Sequence, residues 1–141
     1  MEPCRTLAGL RIALIENDDL LRESLAFFLQ VQGGLLETFK CAEDAVATVS
    51  LGVFGAVISD LLLPGEDGLS LLRRARSASG TVITILITAY RNSNLSDEAR
   101  HAGVDAILLK PFSTADLENA MQMARIDRES AAGIGLPETG A

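Results

Sequence analysis

A chain of 141 residues that is 48% hydrophobic and 22% charged has the size and composition of one globular domain with one core. Its formal net charge of −7 argues against direct binding to nucleic acid, which draws on Lys and Arg facing phosphates. No stretch approaches the roughly 18 consecutive apolar residues of a membrane span, and Met1-Glu2-Pro3-Cys4-Arg5 lacks the order of a signal peptide, so the expected compartment is the cytoplasm.

Residues 1–9 read as an N-terminal extension. The apolar run at 10–15 reads as a strand and ends in Glu16-Asn17-Asp18-Asp19. Leu20, Leu21, Ser24, Leu25, Phe28 and Leu29 then recur with a helical period, capped by Asp18 or Asp19 and ended by Gly33-Gly34. A weaker strand fits 35–39. Cys41 precedes a short helix over 42–50 with Ala42, Ala45, Val46 and Val49 inward. Cys4 and Cys41 form no CxxC pair and read as ordinary thiols.

A third strand, 54–59, ends at Asp60, followed by Leu-Leu-Leu-Pro-Gly-Glu-Asp-Gly. Asp67 begins a helix expected to bury Leu69 and Leu72. The run at 82–87 is a strand leading into Thr88. The helix around 93–102 is polar and poorly patterned, and is expected to be the most mobile. It carries His101, read as a surface residue. The last strand, 105–109, ends at Lys110. The last helix runs from Thr114 to about Ile126 with Leu117, Ala120, Met121 and Ala124 on one face, and 127–141 reads as a flexible tail. Phe27, Phe28 and Phe39 read as core or semi-exposed packing.

Strand and helix alternate regularly, which gives an α/β doubly wound sheet of five parallel strands. Right-handed crossovers and the single-domain length favour strand order 2-1-3-4-5. Strands 1 and 3 are then neighbours, with Glu16 and Asn17 beside Asp60 at the topological switch point. Ligands bind at that carboxyl edge in open parallel sheets. Taken singly, an Asp after a strand is more often a cap or turn former, and a lone Lys is usually a solvated charge. Together, two acidic strand ends and one basic one describe a site for a divalent cation and a phosphoryl group.

Over 10–126 the chain resembles the receiver domain of two-component response regulators. Five features carry the resemblance: the acidic cluster after strand 1, Asp60 with Leu-Pro-Gly-Glu-Asp-Gly behind it, Thr88-Ala89, Ala102-Gly103-Val104-Asp105, and Lys110-Pro111-Phe112. The resemblance implies a flavodoxin-like (βα)5 three-layer sandwich. It makes Asp60 the acceptor of a phosphoryl group from a sensor histidine kinase or a histidine phosphotransfer protein. Mg2+ would be held by Glu16 (through water), Asn17, Asp60 and the backbone carbonyl of Leu62. Lys110 would pair with Asp60 and then with the phosphoryl oxygens, which Thr88 and Ala89 would also contact, and the Lys110-Pro111 bond would be cis. Kinase docking would use Leu20, Leu21, Ser24, Pro111 and Phe112. A downstream protein or output domain would meet helix 4, strand 5 and helix 5, a face that also suits a homodimer.

The chain departs from the family's pattern in three respects, at four positions. Asn17 stands where a metal-ligating aspartate is usual, so Mg2+ binding is expected to be weaker than in a typical receiver. Ile107 replaces the aromatic residue many receivers carry there; β-branched and stiff, it excludes a ring swing. Leu62 and Tyr90, two positions after Asp60 and Thr88, offer no carboxylate or amide to orient a water, which predicts a long-lived phosphoaspartate. An aspartate-nucleophile phosphatase would need a second Asp where Leu62 stands, so a switch, not an enzyme, is expected. The alternative is a degenerate receiver that binds partners constitutively without phosphorylation. Leu136-Pro137-Glu138-Thr139-Gly140 resembles a sortase motif but lacks the hydrophobic segment such a signal requires.

Overall fold

The computed structural model describes residues 7–90 and 94–131. Strands β1 (Arg11–Ile15), β2 (Leu35–Phe39), β3 (Ala56–Asp60), β4 (Ile83–Thr88) and β5 (Ala106–Leu109) alternate with helices α1 (Asp19–Val31), α2 (Ala42–Val49), α3 (Gly68–Ala78), α4 (Leu95–Ala102) and α5 (Thr114–Ala131). The strands form one parallel sheet in the order β2-β1-β3-β4-β5, as the alternation implies. Covered on both faces, β3 and β4 are buried at every position. Strand β2, at the edge, exposes most of its residues, which explains its weak apolar signal.

Side chains alternate across the sheet and build two cores. On one face Ile12, Leu14, Ile58, Ile85 and Ile87 meet Leu25 and Leu29 of α1 and Leu117 and Met121 of α5. On the other, Ala13, Ile15, Val57 and Leu86 meet Ala45 and Val49 of α2, Leu71 and Leu72 of α3, and Leu95 of α4. Asp18 is the residue that caps α1, accepting from the Leu21 N–H at 3.0 Å.

Several boundaries and faces differ from expectation. Helix α3 turns Leu71, Leu72 and Ala75 inward and leaves Leu69 half-buried. Its phase is set by Gly68, where a Cβ would sit 1.9 Å from the Asp60 carbonyl oxygen, so only glycine admits this approach. Helix α4 buries Leu95, Ala99 and Ala102, an i, i+4, i+7 stripe whose small residues hid it from a reading of large apolar side chains. Helix α5 continues to Ala131, beyond the end expected near 126. Leu7, assigned to the N-terminal extension, is buried, and its N–H donates to the Gln32 carbonyl at 3.0 Å. Phe27 is 69% exposed rather than packed, while Phe28 and Phe39 are half-buried. Cys4 and the Leu136–Gly140 motif lie outside the described residues. Among the described residues no helix is long and apolar enough to cross a membrane.

Candidate functional site

Strand register gathers the site. Ile15 pairs with Ser59, so the next residues, Glu16 and Asp60, leave the sheet side by side. Thr88 pairs with Leu109, and the Lys110 N–H donates to the Thr88 carbonyl at 2.8 Å. Four polar side chains from four strand ends thus share one edge. Asp60, Glu16 and Thr88 are buried, and the Lys110 side chain keeps 27% of its surface exposed.

Contacts among them are direct. Lys110 Nζ lies 2.5 Å from Asp60 Oδ2 and 3.4 Å from Glu16 Oε1. Asp60 Oδ1 accepts from the Leu62 N–H at 3.0 Å. Glu16 Oε2 accepts from the Asp18 N–H at 3.0 Å, whereas its Oε1 is buried without a hydrogen-bond partner. Thr88 Oγ1 accepts from the Tyr90 N–H at 2.9 Å, which leaves its own proton to be donated elsewhere. The Lys110–Pro111 peptide is cis.

The charges act on one another. Burial, reinforced by the neighbouring Asp60 carboxylate, raises Glu16 above the usual glutamate value, and the Asp18 N–H and Lys110 only partly oppose this. Burial pulls Lys110 down, but Asp60 and Glu16 outweigh it and hold the ammonium above the ordinary lysine value. The edge is therefore a charged lysine shared unequally by two carboxylates. Among the described residues no three His, Cys, Asp or Glu side chains form a metal-binding group by themselves. A cation at this edge needs further oxygens, from the Asn17 amide, the Leu62 carbonyl, water or an incoming ligand. Glu16 Oε1, ion-paired with Lys110 but without a hydrogen bond, and the all-oxygen donor set fit a hard divalent cation.

Asn17, Leu62, Ala89 and Tyr90 follow the strand ends that form this edge. Asn17 and Ala89 are exposed, as are Leu62 at 70% and Tyr90 at 51%. Ile107 is half-buried beside Leu86, its register partner on β4. A groove of about 680 Å³ beside Lys110 is lined by Leu20, Leu21 and Ser24 of α1 and by Pro111 and Phe112. His101 is exposed, and Cys41 is half-buried just before α2 as a free thiol.

Two groups were not singled out for their side chains. Arg22, buried in the first turn of α1, donates to the Glu16 carbonyl at 2.9 Å and to Asp19 Oδ1 at 2.7 Å. At the opposite edge of the sheet, Asp105 accepts from the Thr84 N–H at 2.9 Å and pairs with Arg76 at 3.0 Å and Arg128 at 3.1 Å. A charged residue inside an apolar helix face was the available signal for Arg22. Asp105 gave none beyond its place before a strand, because its arginines lie far along the chain.

Comparison with known proteins bears on the family and the fold. The family model described as the response regulator receiver domain matches residues 12–122. The C4-dicarboxylate transport transcriptional regulatory protein DctD of Rhizobium meliloti is 30% identical over 117 residues, 83% of this chain and 25% of that protein. The transcriptional regulatory protein FixJ of Bradyrhizobium diazoefficiens is 33% identical over 120 residues, 80% of this chain and 57% of FixJ. The chain thus spans only part of the length of these relatives. A CheY-like receiver domain protein of Methanospirillum hungatei superposes with a TM-score of 0.80 at 24% identity, covering 86% of this chain and 98% of its own, which speaks to the fold. With its fold and the matched family model in agreement, the chain belongs to the response regulator receiver domain family of two-component systems.

Proposed function

We propose that this receiver accepts a phosphoryl group on Asp60 from the phosphohistidine of a sensor histidine kinase or a histidine phosphotransfer protein. The observation that carries this reading is the meeting of Asp60, Glu16 and Lys110 at one edge, with the ammonium 2.5 Å from one carboxylate and 3.4 Å from the other. A carboxylate oxygen of Asp60 attacks phosphorus as the P–N bond to the imidazole breaks, and the imidazole leaves with that electron pair. The Leu62 N–H on Oδ1 and Lys110 on Oδ2 orient the nucleophile. Lys110 then follows the charge onto the phosphoryl oxygens, and Thr88, its oxygen already anchored by the Tyr90 N–H, donates its proton to them. The groove formed by Leu20, Leu21, Ser24, Pro111 and Phe112 is the docking surface for the donor. Signal leaves through α4, β5 and α5, to a protein partner, an output domain or a second copy.

Glu16, Asn17, Asp60 and the Leu62 carbonyl are the residues that would hold Mg2+. Bound there, the ion would neutralise charge on the transferring group. Asn17 contributes an oxygen without charge, so the affinity is lower than an aspartate would give. The same substitution supports a second reading, a receiver that engages its partner without phosphorylation.

Intact mass after incubation with Mg2+ and a small phosphodonor separates the two. One phosphoryl adduct that is absent from Asp60→Asn supports phosphorylation. No adduct on the wild type supports constitutive binding, and steady release of phosphate would indicate an enzyme instead of a switch.

A further inference from the structure

Arg22 is placed against ordinary preferences. It lies in the first turn of α1, where the helix dipole disfavours a cation. Its side chain is only 10% exposed, and desolvating a guanidinium is costly. Something at this position therefore offsets both penalties. The partners show what that is. One arm of the planar fork donates to the Glu16 carbonyl at 2.9 Å and the other to the Asp19 carboxylate at 2.7 Å, so the two ends of the Glu16–Asp19 turn are bolted to one rigid group. The Arg22 backbone N–H adds a bond to the Asp18 carbonyl at 2.9 Å. From the other side, the Asp18 N–H fixes Glu16 Oε2. Asn17 sits in the middle of this frame, exposed.

We infer that Arg22 is a positioning residue for the cation site, and that its clamp on the Glu16 carbonyl pre-forms the turn that presents Glu16 and Asn17 to Mg2+. The inference deepens the phosphorylation reading and rests on it. A turn held in its binding conformation loses less freedom when the ion arrives. That matters most where one ligand is a neutral amide, since charge alone then attracts the ion weakly. The guanidinium's own positive charge acts in the opposite direction by repelling a cation, but the adjacent Asp19 carboxylate largely cancels it at a distance.

Arg22→Lys separates the two effects, because it keeps the charge and loses the fork. Mg2+ is titrated by calorimetry into wild type, Arg22→Lys and Arg22→Gln, with thermal unfolding in EDTA as the check on folding and phosphodonor labelling at saturating Mg2+ as the check on chemistry. The clamp predicts Mg2+ binding about ten-fold weaker in Arg22→Lys. Labelling at saturating Mg2+ should stay within about two-fold of wild type, because the loss lies in affinity. Arg22→Lys binding Mg2+ as wild type does, or Arg22→Gln binding it more tightly, would show that Arg22 acts only through its field and overturn the clamp. Wild type that takes up neither Mg2+ nor a phosphoryl group would sink the underlying reading, and the clamp with it.

Discussion

Asp60 and Asp105 are both buried carboxylates paired with cations, their side chains 9% and 5% exposed, yet they stand at opposite edges of the sheet and are built differently. Asp105 is saturated. Arg76 and the Thr84 N–H meet one oxygen, Arg128 meets the other, and Arg76 also holds the carbonyls of Gly103 and Gly80. Two guanidiniums from α3 and α5 thereby tie the α4–β5 turn to the start of β4. Asp60 has one backbone N–H and one ammonium on a flexible stem, and that ammonium is shared with a second carboxylate disfavoured by its own burial. Rigid forks around one acid make a staple; a movable cation between two acids leaves room for a third charged group. The lesson is that burial and pairing alone do not mark a functional carboxylate. Incomplete satisfaction at a ligand-accessible edge does.

The largest expected effect tests the staple. Asp105→Ala strips both arginines of their shared partner and should cost about 3 kcal/mol, read by denaturant unfolding, because breaking a buried pair leaves uncompensated charge. The folded fraction should still take up a phosphoryl group. Asp60→Asn keeps an acceptor for the Leu62 N–H and leaves Lys110 with Glu16, so its loss of stability should be about 1 kcal/mol or less, while labelling disappears. If Asp60→Asn proved the more destabilising of the two, the contrast between them would be broken.

Next in size is a charge restored to the open edge. Asn17→Asp adds an anion to a site whose existing carboxylates already share a lysine. A unit charge about 4 Å from the ion is worth roughly 4 kcal/mol at an effective dielectric of 20, before the extra hydration the carboxylate loses. Mg2+ affinity should rise by about one to two orders of magnitude. An unchanged titration would mean that Asn17 does not face the ion.

The staple and the open edge were unequally legible in the sequence. Apolar runs ending in Glu16, Asp60, Thr88 and Lys110 announced themselves because a buried parallel strand has a distinctive pattern and its terminal residue a defined location. Strand order followed from chain topology, and with it the adjacency of residues 16 and 60. The Asp105 staple joins residues 76, 84, 105 and 128 through side-chain reach, which no periodicity encodes. Its Arg128 also explains the missed end of α5: residues beyond 126 look polar, but one of them is anchored to Asp105 and to the Gly80 carbonyl at 3.2 Å. Helix α4 was underrated because alanine carries little weight in an apolar pattern, although Ala99 and Ala102 are buried. In α3, Leu72 is buried as expected, and Leu69 was overrated because Gly68 takes a buried position by having no side chain.

A smaller effect concerns the lifetime of the modified state. Leu62 and Tyr90 flank the edge from positions two residues after Asp60 and Thr88, and neither side chain brings a carboxylate or amide to orient an attacking water. Both are largely exposed, so they would act as an open rim and not as a sealed lid. Leu62→Asn with Tyr90→Glu should therefore speed the decay of the phosphorylated protein about several-fold, through loss of water exclusion and gain of groups that hold a water. Decay at the wild-type rate would mean the rim has no part in lifetime.

The smallest effect reads the disfavoured carboxylate directly, in magnesium-free protein. Burial and Asp60 raise Glu16 above its ordinary value of 4.5, so the folded protein retains that proton at pH values where the unfolded chain has released it. Stability from this group therefore falls as pH climbs through that window, and above it the ionised side chain is a standing cost. Glu16→Gln removes the cost and keeps an oxygen for the Asp18 N–H. Its melting temperature should exceed that of wild type at pH 8, and the gap should close toward pH 4, where wild-type Glu16 is protonated. Lys110 does not confuse the comparison, since its raised value keeps its own contribution fully present below 10.5. Adding Mg2+ should reverse the order at pH 8, because wild type regains by ion binding what it loses by carrying the charge. A gap that ignored both pH and Mg2+ would place Glu16 with Asp105, as a carboxylate whose partners already satisfy it.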